Sequence, residues 1–285
     1  MYKFLPIRKT LVWGTESWVL SGVPGSESVV AEGPDAGRKI SEIWPDGFPL
    51  LIKFIETRRD LSIQVHPDDA LAAERHGCRG KTEMWYVIGA EPGARLLCGL
   101  REAVSPEDYV RLVAQDRIPE VLAEHRVSPG DVFYVPAGRI HAIGGGCFLA
   151  EIQQSSDITY RIYDYKRPDQ NGQLRQLHTE LAQSAIDYTV YPDYRTHYEA
   201  RRDAAVELVR CPYFTTDLYE LTEAMEITVP DPFRVLVGLS GCGTVRTAAG
   251  TGVLRAGEAV LLVAGEGPVS LIPGGDGLKL LAVRP

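Results

Sequence analysis

The stretch L-S-I-Q-V-H-P at residues 61–67 alternates strictly between apolar and polar residues. Successive side chains of a β-strand point to opposite faces of that strand. The predicted apolar face carries Leu61, Ile63 and Val65. The predicted polar face carries Ser62, Gln64 and His66. Burying polar groups in a barrel without partners costs about 1–3 kcal/mol each, so this face needs partners, and a metal ion is one that would serve.

Short stretches rich in Val, Ile, Leu, Phe and Tyr, separated by Gly, Pro and Asp clusters, continue on both sides of this segment. The pattern is typical of an all-β sandwich or barrel. The predicted strands include residues 49–55, 61–65, 84–88, 132–135, 148–152, 234–239, 259–263 and 278–283. Two segments with helical spacing predict helical inserts on this β scaffold: residues 67–76 and 106–125.

The chain also shows signs of two β-rich halves. R-A-G-E-A-V-L-L-V-A at 255–264 parallels S-P-G-D-V-F-Y-V-P-A at 128–137, because each has a Gly-acid turn before an apolar strand. This parallel indicates an internal duplication of a barrel. The predicted domains are a metal-binding catalytic domain at residues 1–165, a connector at 166–203 and a second, metal-free β domain at 204–285. No histidine follows Tyr198, so we expect any metal chemistry in the first half.

Composition narrows the classes of function. The formal charge of -8 argues against non-specific nucleic-acid binding, which needs a basic surface. No window approaches the ~20 apolar residues of a membrane helix, and the first ten residues lack the apolar run of a secretory signal. The five cysteines are scattered without a C-x-x-C pair, so we expect reduced thiols. We predict a cytoplasmic protein with no membrane or nucleic-acid partner.

Two further side chains are candidate ligands beside Gln64 and His66. Glu83 precedes the predicted strand 84–88, and His141 follows the predicted strand 132–135. Two imidazoles, one carboxylate and one amide oxygen suit a borderline divalent ion such as zinc, and they leave a coordination position open for water or substrate. An open position is typical of catalysis. On spacing alone, a hydrogen-bonded Gln–His pair and a surface glutamate are alternative interpretations.

Five motifs carry a resemblance to a known family: F-P-L-L-I-K-F-I (48–55), L-S-I-Q-V-H-P-D-D (61–69), G-K-T-E-M-W-Y (80–86), V-P-A-G-R-I-H-A-I (135–143) and T-Y-R-I-Y-D-Y (159–165). They resemble the short bacterial form of the type I mannose-6-phosphate isomerases. The resemblance implies a mainly β, double-cupin fold of two jelly-roll barrels with short helical inserts. It also implies a zinc-dependent aldose–ketose isomerase that interconverts mannose 6-phosphate and fructose 6-phosphate through a cis-enediol. The implied ligands of one Zn²⁺ per chain are Gln64, His66, Glu83 and His141.

The same resemblance implies the positions of catalytic and substrate-binding side chains, which are Ser62, Lys81, Glu151, Asp157 and Arg161. Lys81, Glu151 and Asp157 are alternative candidates for the base that removes the C2 proton. Lys81 and Arg161 are also candidate substrate-binding residues, and the planar fork of Arg161 suits either an enediolate or a phosphate. Ser62 is expected to line the pocket. A surface ion pair is the alternative interpretation of Arg161 and Asp157.

Two other functions are compatible with these residues. A catalytically silent cupin that binds or senses a sugar phosphate would have the same fold. An oxidative cupin with iron or manganese is disfavoured, because such cupins usually begin the metal motif with H-x-H rather than Q-x-H. Longer family members carry a tyrosine just after the last histidine ligand, where this chain has Ile143 and three glycines, so no role of that tyrosine is carried over. The expected partner is a small sugar phosphate, and the expected state is a monomer or homodimer.

Overall fold

The computed structural model describes residues 1–169, 172–230, 232–265 and 267–285. Strands dominate these ranges, as the sequence predicts. The first strands are β1 (Tyr2–Phe4), β2 (Ile7–Leu11), β3 (Gly14–Ser21), β4 (Val30–Glu32), β5 (Leu50–Thr57), β6 (Ile63–Val65), β7 (Glu83–Ala90), β8 (Arg95–Leu100), β9 (Leu122–Arg126) and β10 (Val132–Val135). The remaining strands are β11 (His141–Ile143), β12 (Cys147–Gln154), β13 (Tyr160–Tyr163), β14 (Ala205–Arg210), β15 (Thr215–Leu221), β16 (Met225–Ile227), β17 (Phe233–Thr247), β18 (Gly250–Arg255), β19 (Ala259–Val263) and β20 (Val269–Arg284).

Helices are few and short. They are α1 (Ile40–Ile43), α2 (Asp69–His76), α3 (Pro106–Ala114) and α4 (Thr179–Gln183), with a 3₁₀ helix at Ile118–Val121. No helix in the described ranges is long and apolar enough to cross a membrane. All five cysteines are free thiols.

The chain forms two compact units, and each is discontinuous in sequence. The central unit comprises residues 8–17 and 50–195, and the terminal unit comprises residues 1–7, 18–49 and 196–285. These limits differ from the predicted ranges at both ends of the first half. The N-terminal residues join the terminal unit because β1 pairs antiparallel with β19, which places Tyr2 opposite Leu261. Most of the predicted connector, up to residue 195, belongs to the central unit.

In the central unit, an apolar core lies between two antiparallel sheets. One sheet has the strand order β10-β7-β12-β5-β3-β2, and the other has the order β13-β6-β11-β8-β9. The core includes Trp85 and Phe133 from the first sheet and Leu96 and Ile143 from the second. Two sheets whose inner faces share one core form the jelly-roll barrel of a cupin, which confirms the predicted fold class.

Helices α2, α3 and α4 cover the outer face of the second sheet. Ile63 and Val65 of β6 belong to a second buried cluster that also contains Tyr109 and Val113 of α3. The alternation within β6 therefore sends these two residues outward to the helices and leaves Gln64 on the inner face. Leu61 departs from the predicted pattern: it precedes β6 and packs in the inner core.

The two predicted helical inserts are only partly helical. Helix α2 begins after Asp68, whose carboxylate accepts a hydrogen bond from the Leu71 N–H at 2.8 Å, and it ends at Gly77, which has φ of 63°. The prediction of helical structure over residues 106–125 holds for α3 and for the 3₁₀ helix at Ile118–Val121, but it was wrong for the end of the segment. Asp116 has φ of 59°, which breaks the helix, and the last residues of the segment form β9 instead.

In the terminal unit, a nine-stranded sheet curls around its own apolar core. Its order is β14-β15-β20-β17-β19-β1-β4, with β16 paired to β20 and β18 paired to β17. The turn before β19 repeats the turn before β10: the Arg255 N–H donates to Glu258 at 3.0 Å, and the Ser128 N–H donates to Asp131 at 3.0 Å. This shared turn supports the internal duplication that the sequence indicates.

Candidate metal centre

Three of the four predicted ligands meet inside the central unit. His66 follows β6, Glu83 begins β7 and His141 begins β11. All three side chains are buried, and their ligand atoms lie within 4.8 Å of one another. The fourth, Gln64, lies directly opposite His141 in the β6–β11 pair. Sheet pairing therefore brings together residues that are up to 77 positions apart in the sequence.

Backbone carbonyls fix the tautomer of both histidines. His66 Nδ1 lies 2.8 Å from the Ile158 carbonyl oxygen, and His141 Nδ1 lies 2.8 Å from the Arg139 carbonyl oxygen. A carbonyl only accepts, so each Nδ1 carries the proton and each Nε2 presents a lone pair. The Nε2 atoms lie 3.6 Å and 3.5 Å from the two carboxylate oxygens of Glu83. This orientation by a carbonyl is the usual outer-shell support of metal-binding histidines.

The donor atoms of this cluster fit a divalent cation. His66 Nε2 and Glu83 Oε1 are buried without a hydrogen-bond partner among the described residues. Glu83 Oε2 lies 2.9 Å from the Lys81 ammonium, which is its nearest charged partner among the described residues. Buried lone pairs without donors are costly, and a cation satisfies all of them together. Gln64 Nε2 lies 3.3 Å from His141 Nε2, and turning the amide by 180° presents its oxygen to the same space.

Burial also sets the charge state of the candidate ligands. Burial lowers the pKa of His66 well below its ordinary value, and Lys81 lowers it further. Burial lowers the pKa of His141 to about 4, so both imidazoles are neutral at pH 7, the form that binds metals. Burial and the neighbouring Glu151 raise the pKa of Glu83 to about 7. A divalent cation favours the ionised carboxylate and would reverse that shift.

Beside the ligands lies a buried group of alternating charges. Glu151 on β12 stands opposite Lys53 on β5 and opposite Trp85 on β7. Its carboxylate lies 2.9 Å from Lys53 Nζ, accepts the Trp85 Nε1–H at 3.0 Å and lies 3.8 Å from Lys81 Nζ. Burial alone would raise the pKa of Glu151, but the two lysines outweigh it and hold that pKa at about 2. Glu151 is therefore an ionised carboxylate that is paired with two lysines.

Sequence reasoning missed Lys53 and Trp85. Lys53 is buried in the middle of β5, between apolar neighbours, and burial opposed by Glu151 leaves its pKa raised. A lysine inside the run F-P-L-L-I-K-F-I was a signal for such a buried partner, because buried lysines are almost always paired. Trp85 also packs edge-on against His141, with ring centroids 5.3 Å apart.

The other predicted site residues lie at different depths. Ser62 is buried, with its hydroxyl 3.5 Å from Gln64 Oε1. Arg161 on β13 is opposite Gln64 on β6, so both side chains leave the same face of the sheet. The Arg161 guanidinium is half-buried and donates to the Gln176 carbonyl at 3.2 Å. Asp157 is exposed, so the structure does not bury it with the ligands.

The fold and the His–Glu–His cluster define a double cupin with a candidate metal centre in its first barrel. No protein-family model matches the chain. The chain is 33% identical over 298 residues to mannose-6-phosphate isomerase ManA of Bacillus subtilis, with 94% of each chain covered. The chain belongs to the mannose-6-phosphate isomerase family and is an isomerase.

Solved structures agree with this assignment. The crystal structure of mannose 6-phosphate isomerase from Bacillus subtilis matches with a TM-score of 0.92 and 29% identity, covering 100% of this chain and 99% of that chain. A mannose 6-phosphate isomerase bound with zinc and yttrium matches with a TM-score of 0.79 over 100% and 99% of the two chains, and at 15% identity this shows a shared fold. The predicted family, fold and enzyme class are confirmed. The alternative of a catalytically silent cupin is not supported.

Proposed function

We propose that this isomerase interconverts mannose 6-phosphate and fructose 6-phosphate with one zinc ion held by Gln64, His66, Glu83 and His141. The observation that carries the proposal is the buried cluster of candidate ligand atoms, which lie within 4.8 Å of one another. A relative of this chain is named for the same activity. The choice of zinc is supported by the donor set and by the zinc named for a neighbour of the same fold. The cytoplasmic location and the monomeric or dimeric state stay predictions.

The ligand set suits a reaction in which negative charge develops on sugar oxygens. When bound, a divalent ion would supply positive charge where negative charge develops on the sugar oxygens. Two neutral imidazoles, one amide and one carboxylate contribute a single negative charge, so most of that positive charge is left for the substrate. His66 and His141 are locked by the carbonyls that fix their tautomers, and they need no reorganisation when substrate arrives.

We assign proton transfer between C2 and C1 to Lys81. Its ammonium nitrogen lies 2.9 Å from Glu83 and 3.8 Å from Glu151, beside the ligands but not among them. Glu151 is a weak candidate base, because Lys53 and Lys81 hold its pKa at about 2. Asp157 is a weak candidate because it is exposed rather than buried with the ligands. In its neutral amine form Lys81 would accept the C2 proton and return it to C1 across one face of a cis-enediol, and Glu151 positions it.

Arg161 and Ser62 are proposed to hold the substrate. Arg161 leaves the Gln64 face of the sheet, and its Nε is buried without a hydrogen-bond partner among the described residues. A guanidinium with a spare donor binds an oxyanion well, either the enediolate or the substrate phosphate. The Ser62 hydroxyl lies 3.5 Å from Gln64 Oε1, and this position beside a candidate ligand supports its role as a donor to a sugar oxygen.

The test is conversion of mannose 6-phosphate to fructose 6-phosphate by purified protein, before and after chelation and zinc re-addition. We expect turnover to be lost on chelation, restored by zinc, and lost in Gln64→Ala and Arg161→Ala. Lys81→Met is expected to bind zinc normally but to exchange no C2 deuterium with solvent. The matched control is Lys39→Met, which removes an exposed lysine and should keep full turnover. Metal-replete protein that binds the sugar phosphate without turnover would refute the proposal.

A further inference from the structure

A buried polar cluster lies inside the barrel of the terminal unit, where the sequence predicts no site. Three strands supply it, and its members are Asp217 and Tyr219 on β15, Arg234 on β17 and Arg284 on β20. Each charged member lies two positions from a residue of the apolar core, the three core residues being Tyr219, Leu236 and Ala282. Side chains two positions apart on a strand share a face, so the charged groups point into the barrel.

The strand register sets two arginines side by side. Val235 of β17 pairs with Val283 of β20. The next step of that antiparallel register places Arg234 opposite Arg284. Two positive side chains directly opposite each other destabilise a sheet unless a negative charge lies between them.

The described residues supply only part of that negative charge. Asp217 Oδ2 lies 2.9 Å from Arg284 Nη1, so this carboxylate is engaged by one arginine. Arg234 is only 8% exposed, and its single hydrogen bond to the described residues joins Nη1 to the Tyr219 hydroxyl at 3.4 Å. Arg234 Nε is buried with no hydrogen-bond partner among them. Two guanidinium groups against one carboxylate leave one buried positive charge unbalanced.

Among the described residues, the neighbouring charges do not balance it. Arg210 and Glu207 form an exposed ion pair with each other on β14, which is neutral as a pair. A guanidinium carries five donors, so Arg234 uses one of five. Buried donors without acceptors are rare in folded proteins and indicate an occupant that the protein chain does not supply.

We propose that Arg234, Arg284 and Tyr219 form a binding site for a small oxyanion of the carboxylate or phosphate class. Planar guanidinium groups bind such anions through paired N–H donors, and the Tyr219 hydroxyl can donate a further hydrogen bond. Arg284 keeps 21% of its side chain exposed, so the cluster is open to solvent on its side. This oxyanion site is separate in sequence from the isomerase residues and adds a binding function to the second barrel.

The direct test is a ¹H–¹⁵N correlation spectrum of the arginine Nε–Hε groups in the zinc-loaded, full-length protein. The Arg234 signal is assigned by its absence from Arg234→Lys. Inorganic phosphate and acetate are titrated separately, with sodium chloride added to hold the ionic strength constant. We expect a saturable shift of the Arg234 signal with at least one anion, and the stronger of the two identifies the ligand class. The signal of Arg246, an exposed arginine further along β17, is the internal control and should not shift.

A second measurement separates this site from phosphate binding at the isomerase centre. Thermal unfolding is followed against phosphate concentration in Arg161→Met protein and in Arg161→Met/Arg234→Met protein. We expect the melting temperature to rise with the logarithm of phosphate concentration in the first protein and not in the second, while Arg161→Met/Arg246→Met behaves like the first. Absence of a saturable Arg234 shift with either anion overturns the proposal, whatever the double variant does. Equal shifts of Arg234 and Arg246 also overturn it, because they would report general salt effects.

Discussion

Replacing Lys53 by methionine removes one partner of the buried ion pair with Glu151 while keeping a straight side chain of similar length. The two charged groups lie 2.9 Å apart, and both side chains are at most 6% exposed. Two unit charges at that distance attract by about 6 kcal/mol at an effective dielectric constant of about 20. Part of this attraction offsets the cost of burying Lys53, which the variant no longer incurs. Breaking a buried pair from one side typically costs about 3–5 kcal/mol, because the remaining charge is left without compensation.

The surroundings of Glu151 place the expected loss at the low end of that range. Trp85 still donates to the carboxylate at 3.0 Å, and Lys81 remains 3.8 Å away. We therefore expect Lys53→Met to lower the free energy of unfolding by about 3 kcal/mol. The double variant Lys53→Met/Glu151→Gln should recover much of this loss, because the amide is neutral and its oxygen still accepts from Trp85.

The assay is urea unfolding of chelator-treated protein followed by tryptophan fluorescence, which keeps metal binding out of the comparison. The control variant is Arg117→Met, which breaks an ion pair whose side chains are both more than half exposed and should change stability little. Equal slopes against urea are needed for the free energies to be compared. If Lys53→Met is no less stable than Arg117→Met, or if the double variant is the least stable of all, the buried pair does not hold the site together as argued.

Three further predictions concern the ligands and their support. Zinc affinity, measured by calorimetric titration, should strengthen as the pH rises toward neutrality. Burial raises the pKa of Glu83 to about 7 in the metal-free protein, so a proton competes with zinc below that pH. A zinc affinity that does not depend on pH would contradict this prediction. Gly99→Ala should cost about 2–5 kcal/mol of stability in urea unfolding, because Gly99 has φ of 81° and a Cβ there would lie 2.0 Å from the Tyr194 ring. A loss below about 1 kcal/mol would show that the ring can move aside. Trp85→Phe should keep the ring contact with His141 but lower the free energy of unfolding by about 1–3 kcal/mol, because a buried oxygen of Glu151 loses its donor. Unchanged stability in the same urea assay would show that water replaces the indole N–H.

Local pattern and family resemblance suggested the candidate metal ligands, and the structure brings His66, Glu83 and His141 together in one cluster. Alternation in residues 61–67 correctly set Gln64 on the face opposite Ile63 and Val65, because side-chain direction along a strand depends only on neighbouring positions. It did not show which of the two faces pointed inward. The apolar face packs under helix α3, and the inner face holds the candidate ligands, so the polar residues lie deeper in the barrel than the pattern alone indicates.

The alternation of residues within one segment could not predict which distant strands pair with each other. Lys53 and Glu151 are 98 positions apart, and only the β5–β12 register shows that they meet. The same limitation applies to the domain boundaries. The pairing of β1 with β19 joins the first residues of the chain to the last sheet, and no local feature of residues 1–7 signals a partner more than 250 positions away.

The charges around the candidate metal centre explain how a protein of net charge -8 would attract an anionic sugar phosphate. The cations that act on this site are Lys53, Lys81, Arg139 and Arg161. The carboxylates are Glu16, Glu83 and Glu151, so four positive charges against three negative ones leave one positive charge even without a metal. A bound divalent cation adds two more. Because the pocket is buried, these charges are screened less than those on the surface, so the local field acts on the substrate more strongly than the distant negative charges do. Lys53 thus has two effects: it holds Glu151 in place, and it keeps the sign of the pocket positive.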